Sequence, residues 1–122
     1  MRPIRVVQAD KDPAFLESAA LFLGAIPGVV VAGSLRTGRQ VREQVARERP
    51  DAVLLDLFLD DGYGLTTALW LKSLPEPPRV VVVSALDEAA YRALADAVRV
   101  DGFVRKAQYQ EAVVPLLEAL FP

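Results

Sequence analysis

Four polar side chains, each at the end of a short apolar run, could together carry out phosphoryl chemistry. They are Asp10, Asp56, Ser84 and Lys106. A carboxylate attacks phosphorus as a nucleophile when the charge on the transferring oxygens is neutralised. Asp56 ends the most apolar run and precedes a turn-rich loop, so it is the candidate nucleophile. The Lys106 ammonium would supply a fixed positive charge, and the Ser84 hydroxyl would donate a hydrogen bond to a phosphoryl oxygen.

Each of these residues also has an ordinary explanation. An isolated aspartate at a strand end is more often a helix cap, a lone serine is usually a surface donor, and a single lysine is usually solvated. Their combination favours a site, because residues that end successive parallel strands meet in one crevice. Carboxylate and carbonyl oxygens are also the ligands that Mg²⁺ prefers. We therefore expect a phosphoryl-transfer site assisted by a divalent cation.

The elements that position these residues follow from the apolar runs that begin near Ile4, Val29, Ala52, Val80 and Gly102. The segments between them are long enough for helical crossovers, as parallel neighbours require. Continuous apolar runs are typical of strands that are buried on both faces. The pattern predicts a βα repeat, with a parallel sheet covered by helices.

Local signals predict where some helices begin. Asp12-Pro13 is typical of an N-cap followed by proline at the first helical position, and Thr37 to Gln40 fits a capping box. Pro115 lies inside the last helical segment, Gln110 to Leu120. Because proline cannot donate a backbone hydrogen bond, that helix is predicted either to begin late or to kink.

The composition limits the classes of function. A chain of 122 residues, 52% hydrophobic and 25% charged, is expected to form one domain over residues 1–122. The chain has no histidine or cysteine, which excludes imidazole and thiolate chemistry and disulfides. A net charge of −2 gives no positive field for direct nucleic-acid binding. No apolar run is long enough to span a bilayer, and no signal peptide is evident, so we expect a cytoplasmic protein without membrane contact.

Four segments carry a resemblance to a known family: Ile4 to Pro13 (IRVVQADKDP), Pro50 to Leu65 (PDAVLLDLFLDDGYGL), Val80 to Ala85 (VVVVSA) and Asp101 to Ala107 (DGFVRKA). Together they resemble the receiver domain of two-component response regulators, over essentially the whole chain. The resemblance implies a doubly wound, flavodoxin-like (βα)5 fold with strand order 2-1-3-4-5. It is strongest with the subgroup that precedes a helix-turn-helix output domain, which implies a role in transcription regulation.

The resemblance also implies roles for single residues and for partners. The roles are phosphoacceptor for Asp56, acidic-pocket residue for Asp10, switch hydroxyl for Ser84, pocket lysine for Lys106, aromatic switch partner for Phe103, and metal-binding backbone carbonyl for Phe58. Mg²⁺ would be bound by Asp10, Asp56 and that carbonyl. The implied partners are a histidine kinase, an output domain or downstream protein, and a second copy in a homodimer. Phe103 could equally be a plain core aromatic.

The chain departs from the family pattern at Lys11, where a second metal-binding acid is usual. This lysine is expected to weaken or abolish Mg²⁺ binding. One hypothesis is that its ammonium pairs with Asp56 or Asp10 and holds the domain in one state. The alternative is that Lys11 extends into solvent while the two carboxylates hold a weaker ion. Milder departures are Asp60 and Ala107, which stand where proline is common.

The residues at the strand ends also bear on other classes of function. The main alternative to a phosphoacceptor is a receiver-like interaction module that is not phosphorylated because of Lys11. Phosphatases of the haloacid dehalogenase type need a second aspartate two residues after the nucleophile, where this chain has Phe58. A flavodoxin-type cofactor domain needs a phosphate loop rich in small hydroxyl residues and glycine, and this chain has Asp10 to Pro13 there. We therefore expect no enzyme activity beyond slow self-dephosphorylation.

Overall fold

Strands and helices alternate along the chain in the computed structural model, which describes residues 2–86 and 88–122. The strands are β1 (Ile4–Ala9), β2 (Val29–Leu35), β3 (Ala52–Asp56), β4 (Phe58–Leu59), β5 (Gly62–Tyr63), β6 (Arg79–Ser84) and β7 (Gly102–Arg105). The helices are α1 (Pro13–Gly24), α2 (Gly38–Glu48), α3 (Gly64–Lys72), α4 (Ala89–Val98) and α5 (Tyr109–Leu120), and a 3-10 turn (Lys106–Gln108) precedes α5. No helix within the described residues is both long and apolar enough to cross a membrane.

The parallel sheet has the predicted topology. Its order is β2-β1-β3-β6-β7, while β4 and β5 form a separate antiparallel hairpin. Counted along the parallel sheet alone, this order is 2-1-3-4-5, which confirms the doubly wound (βα)5 prediction. Side chains alternate between the two faces: Val6 and Leu54 pack with α1 and α5, while Val7 and Val53 pack with α2 and α3. The sheet is therefore buried on both sides.

The register of the sheet places the polar strand ends side by side. Ala9 is paired with Leu55, so Asp10 follows β1 next to the end of β3. Asp56 is paired with Val83 at the end of β6, one residue before Ser84. Because all these strands are parallel, their carboxyl ends meet at one edge of the sheet, as predicted.

The predicted starts of α1 and α2 are confirmed. The Asp12 carboxylate accepts a hydrogen bond from the Ala14 N–H, and Pro13 is the first residue of α1. The Thr37 hydroxyl accepts from the Gln40 N–H, and the Gln40 side chain accepts from the Thr37 N–H, which completes a capping box. These bonds satisfy N–H groups that lack partners within a helix.

Of the two alternatives for the last helix, the late start is wrong, because α5 begins at Tyr109 and Pro115 lies within it, while the kink stays a prediction. Tyr109, Val113 and Leu117 form a buried stripe at helical spacing. The Tyr109 ring also makes edge-on contacts with Phe15 and Phe22, at centroid distances of 5.3 Å and 5.9 Å. Packing of this stripe against α1 and the sheet stabilises the first turns of α5 despite the proline.

Asp101, between α4 and β7, bonds to β6 and to the last residue of α3, and we expect its replacement to lower stability in a pH-dependent way. Its carboxylate accepts from the Val80 N–H at 2.7 Å and contacts Lys72 at 2.8 Å and Arg79 at 3.1 Å. Burial raises the pKa of Asp101, but the bonds from Lys72 and Val80 outweigh it, so the pKa lies below 3.8. Asp101→Asn should reduce the free energy of unfolding by about 2 kcal/mol at pH 7.

The sign of the pH dependence follows from the lowered pKa. A carboxylate with a depressed pKa stabilises the fold above its unfolded value of 3.8. That contribution is lost as the pH falls through the folded pKa. Urea unfolding of the parent and Asp101→Asn should therefore differ most at pH 7, and the difference should shrink as the pH falls below 3.8. A difference that does not change with pH would show that the carboxylate charge is not the cause.

Candidate functional site

Three of the predicted site residues are in direct contact. Lys106 Nζ lies 2.7 Å from Asp10 Oδ2 and 2.8 Å from Asp56 Oδ2, so one ammonium bridges two carboxylates. Both acids are buried, with only 2% of Asp10 and 6% of Asp56 exposed. Lys106 Nζ also lies 4.3 Å from the centroid of the Phe15 ring. The side chains therefore form a compact charged cluster at the carboxyl edge of the sheet.

The pKa values of Asp10 and Lys106 are both raised, but for different reasons. Burial raises the pKa of Asp10, and the nearby Asp56 charge adds to this, so the contacts with Lys106 and the Asp12 N–H do not bring it back to 3.8. Asp10 Oδ2 is buried without a well-directed hydrogen bond, so its main compensation is the Lys106 charge. Burial lowers the pKa of Lys106, but its bonds to both carboxylates outweigh this and raise it above 10.5. Lys106 therefore stays charged at neutral pH.

Backbone turns orient the two carboxylates. Asp10 Oδ1 accepts from the Asp12 N–H at 2.9 Å, and Asp56 Oδ1 accepts from the Phe58 N–H at 2.7 Å. Each aspartate thus bonds to the backbone two residues further on, as aspartate commonly does in turns. The second oxygen of each carboxylate contacts Lys106. Asp56 Oδ2 is therefore the oxygen that is left for chemistry.

Ser84 and Phe103 occupy the neighbouring strands. Ser84 is buried at the end of β6, and its hydroxyl oxygen accepts from the Leu86 N–H at 2.9 Å. The hydroxyl proton is then left to donate elsewhere. Phe103 is half-buried in β7, with the Arg92 guanidinium 4.5 Å from its ring centroid. Ser84 thus lies at the same sheet edge as Asp56, and Phe103 lies one strand further.

Lys11 does not form the ion pair that one hypothesis predicted. Its side chain is exposed, and its ammonium lies 5.7 Å from the centroid of the Phe58 ring. It makes no salt bridge with Asp10 or Asp56, whose Oδ2 atoms both contact Lys106 instead. Lys106 alone therefore compensates the two carboxylates among the described residues, and Lys11 extends outward.

The donor set at this edge fits a loosely held Mg²⁺ ion. Two carboxylates are present, but no group of three acidic, histidine or cysteine side chains within the described residues is placed to hold a metal. Mg²⁺ in proteins commonly keeps several waters and takes only one or two carboxylates. An ion here would nevertheless compete with Lys106 for Asp10 Oδ2 and Asp56 Oδ2.

The loop after Asp56 contains contacts that the sequence did not reveal. Asp61 accepts from the Gly38 and Arg39 N–H groups at the start of α2, at 2.8 Å and 3.1 Å. Asp60 pairs with Arg36 at 2.8 Å, so its charge is directed toward α2. Gly64 packs against the carbonyl group of Asp56 so closely that a Cβ atom would overlap it. The only signal for these contacts was the turn-rich composition of the loop.

The chain is similar in sequence to known proteins. The family model for the response regulator receiver domain matches residues 6–118. The chain is 34% identical over 93 residues to the probable transcriptional regulatory protein NarL of Mycobacterium tuberculosis, covering 75% of this chain and 43% of that protein. It is 40% identical over 96 residues to protein-glutamate methylesterase/protein-glutamine glutaminase 5 of Myxococcus xanthus, covering 76% of this chain and 27% of that protein.

A solved structure gives the same result at the level of the fold. The signal receiver domain of the putative response regulator NarL from Mycobacterium tuberculosis superposes with a TM-score of 0.90 at 29% identity, covering 98% of both chains. The chain spans less than half the length of the curated relatives named above. Because the family match extends over nearly the whole sequence and the fold agrees with it, this chain belongs to the family of response regulator receiver domains.

Proposed function

We propose that residues 1–122 act as a single receiver domain that accepts a phosphoryl group on Asp56 from a histidine kinase. The observation that carries this proposal is the buried Asp56 carboxylate, with Oδ1 bonded to the Phe58 N–H and Oδ2 in contact with the Lys106 ammonium. Asp56 Oδ2 attacks the phosphorus of a phosphohistidine. The new O–P bond forms as the P–N bond breaks, and the departing imidazole nitrogen keeps the bonding electron pair.

Lys106 and Ser84 stabilise the charge that develops in this step. The Lys106 ammonium is 2.8 Å from the attacking oxygen before the reaction, so it can contact the phosphoryl oxygens without a large movement. The Ser84 hydroxyl, which now accepts from the Leu86 N–H, donates its proton to a phosphoryl oxygen. Asp56 therefore attacks the phosphorus, Lys106 neutralises charge and Ser84 donates a hydrogen bond.

Mg²⁺ would be held by the Asp10 and Asp56 carboxylates and the Phe58 backbone carbonyl. When bound, the ion neutralises charge on the phosphoryl oxygens. We propose that its affinity is low, because Lys11 replaces an acidic ligand and Lys106 already compensates both carboxylates. Asp10 then serves mainly to hold the Lys106 ammonium beside Asp56.

Lys11→Asp is expected to bind Mg²⁺ about tenfold more tightly than the parent, because it adds a carboxylate and removes a cation beside the site. Isothermal titration calorimetry measures this affinity without requiring phosphorylation. Lys11→Ala is the matched control, since it removes the positive charge but adds no ligand, and it should give a smaller gain. Equal affinities for the parent and both variants would contradict the assignment of Lys11 to the metal position.

A second candidate function is favoured by the same contacts. Lys106 compensates both carboxylates without a metal, and Lys11 removes one metal ligand, so the domain could serve as an interaction module that is not phosphorylated. Treatment with acetyl phosphate distinguishes the two functions. If the parent gains no phosphoryl group and Lys11→Asp gains one, the module interpretation is favoured and the fold retains a latent site.

Phosphorylation would change a surface for a partner. We propose that Ser84 moves toward the phosphoryl group and that Phe103 follows, which alters the face formed by α4, β7 and α5. The Arg92 guanidinium against the Phe103 ring is a contact that such a movement would break. The proposed partner of this face is an output domain or a downstream protein in transcription regulation. We also propose that two copies form a homodimer through this face and that the protein is cytoplasmic. Direct nucleic-acid binding by these residues is not proposed.

Intact-mass spectrometry after incubation with acetyl phosphate, with and without Mg²⁺, tests the proposed function. We expect one added phosphoryl group per chain, with a yield that increases with Mg²⁺ concentration. Absence of any added group at saturating Mg²⁺ would contradict phosphoryl acceptance by this domain.

A further inference from the structure

Gly64, the first residue of α3, is buried against the strand that carries Asp56. A Cβ atom at this position would overlap the backbone oxygen of Asp56 and lie 3.0 Å from its carbonyl carbon and 3.4 Å from that of Leu57. These are backbone atoms of a central strand and of the residue that follows it, so they cannot rotate away as a side chain does. The absence of a side chain at Gly64 therefore allows α3 to approach the phosphoacceptor.

The same residue closes the loop that follows Asp56. The Gly64 N–H donates to the Leu57 carbonyl at 2.7 Å, and Phe58 pairs with Tyr63 in the small hairpin just inside this bond. Helix α3 has no side-chain N-cap. Its first turn is instead held by backbone contacts with Asp56 and Leu57, and those contacts fix both ends of the loop.

The other crowded glycines of the described residues differ in what they contact. A Cβ at Gly33, Gly38 or Gly102 would meet side-chain atoms of Gln44, Thr67 or Leu116, while one at Gly24 would meet nothing. Those side chains can move at a modest cost. Among these glycines, Gly64 alone has its crowding atoms in the backbone of the candidate site.

We propose that Gly64 is a positioning residue for phosphoryl acceptance, an inference that rests on the function proposed above. Asp56 Oδ1 is fixed by the Phe58 N–H, and the Leu57 carbonyl is fixed by the Gly64 N–H. Displacement of Asp56 or Leu57 by a Cβ at position 64 therefore tilts the peptides that orient the carboxylate against Lys106. A misplacement of about 1 Å in a reacting group can cost about 10²-fold in rate.

The test compares Gly64→Ala with two matched glycine variants. Gly33→Ala, in β2, crowds the Gln44 side chain of α2, and Gly24→Ala meets no neighbour. Urea unfolding gives the stability of each variant, and the initial rate of phosphorylation by acetyl phosphate is measured at 5 °C, where the proteins are folded. We expect Gly64→Ala to react about 10- to 100-fold more slowly, whereas Gly33→Ala and Gly24→Ala keep the parent rate.

Two results would overturn the inference. One is a folded Gly64→Ala that reacts at the parent rate. The other is a Gly64→Ala that does not fold even at 5 °C with a stabilising osmolyte, because the glycine would then serve the whole fold rather than the site.

An NMR measurement keeps this test separate from the proposed function. If the parent itself is not phosphorylated, the proposed function fails, but the positioning of Asp56 can still be followed through the Phe58 amide, which bonds to its carboxylate. Gly64→Ala should then shift the amide resonances of Leu57 and Phe58, whereas Gly33→Ala should not. Shifts confined to α3 in Gly64→Ala would overturn the positioning role.

Discussion

Asp56→Asn is expected to abolish phosphoryl acceptance, with a fall of more than about 10³-fold in the rate of mass gain with acetyl phosphate. An amide oxygen is a poor nucleophile, and the substitution also removes the ion pair with Lys106 at 2.8 Å. The fold should survive, because the change also removes the repulsion between two buried carboxylates that helps to raise the pKa of Asp10. Intact-mass spectrometry as a function of time measures the rate, and circular dichroism checks the fold.

Asp12→Asn provides the matched control for this prediction. Asp12 is exposed and caps α1 through the Ala14 N–H. Asparagine also caps helices well, so this variant should keep the parent rate and stability. If Asp56→Asn still gains a phosphoryl group at the parent rate, another carboxylate is the acceptor and the assignment of Asp56 is wrong.

Lys106→Met is expected to have the second largest effect, on both rate and stability. The rate should fall about 10²- to 10³-fold, as it does when one charge-stabilising donor is lost from an active site. The free energy of unfolding at pH 7 should fall by about 3 to 5 kcal/mol, because two buried carboxylates lose their shared counter-ion. Lys106→Arg, which keeps the charge, should recover part of the stability.

The loss of stability in Lys106→Met should depend on pH. The folded pKa of Asp10 is already above 3.8 with Lys106 in place, and removal of the ammonium should raise it further. An acid with a raised folded pKa destabilises the fold above that pKa, and the cost disappears as the pH falls through it toward the unfolded value. Urea unfolding should therefore show a larger difference from the parent at pH 7 than at pH 4. A difference that is independent of pH would contradict the proposed pairing.

The parts of the fold that depend on local chemistry were predictable from the sequence. The caps of α1 and α2 are hydrogen bonds between residues only two or three apart, such as Asp12 with Ala14, so the sequence pattern contains them. The parallel sheet followed from apolar runs and crossover lengths. The hairpin of β4 and β5 was not predicted, because two-residue strands have no periodicity to detect. Of the two alternatives for α5, the late start is wrong, because burial of Tyr109 outweighs the local effect of Pro115.

The site was predictable only in part. The sequence indicated which polar residues end the strands, and Asp10, Asp56 and Lys106 do meet. It left open whether Lys11, which is adjacent to Asp10 in the chain, also contacts the acids, whereas Lys106 reaches both carboxylates from the turn that follows β7. The contact of Gly64 with Asp56 could not be predicted either, because it depends on how closely a helix approaches a strand. Such distances are set by packing over the whole domain.

The central claim, that Asp56 is the phosphoacceptor, is tested most directly by chemical trapping. The parent is incubated with acetyl phosphate and Mg²⁺ and treated with sodium borohydride, which reduces an acyl phosphate to an alcohol, and the modified peptide is then sequenced by mass spectrometry. We predict homoserine at position 56 and unmodified aspartate at positions 10 and 12. Homoserine at another position, or none at all with Mg²⁺ at saturation, would contradict the claim.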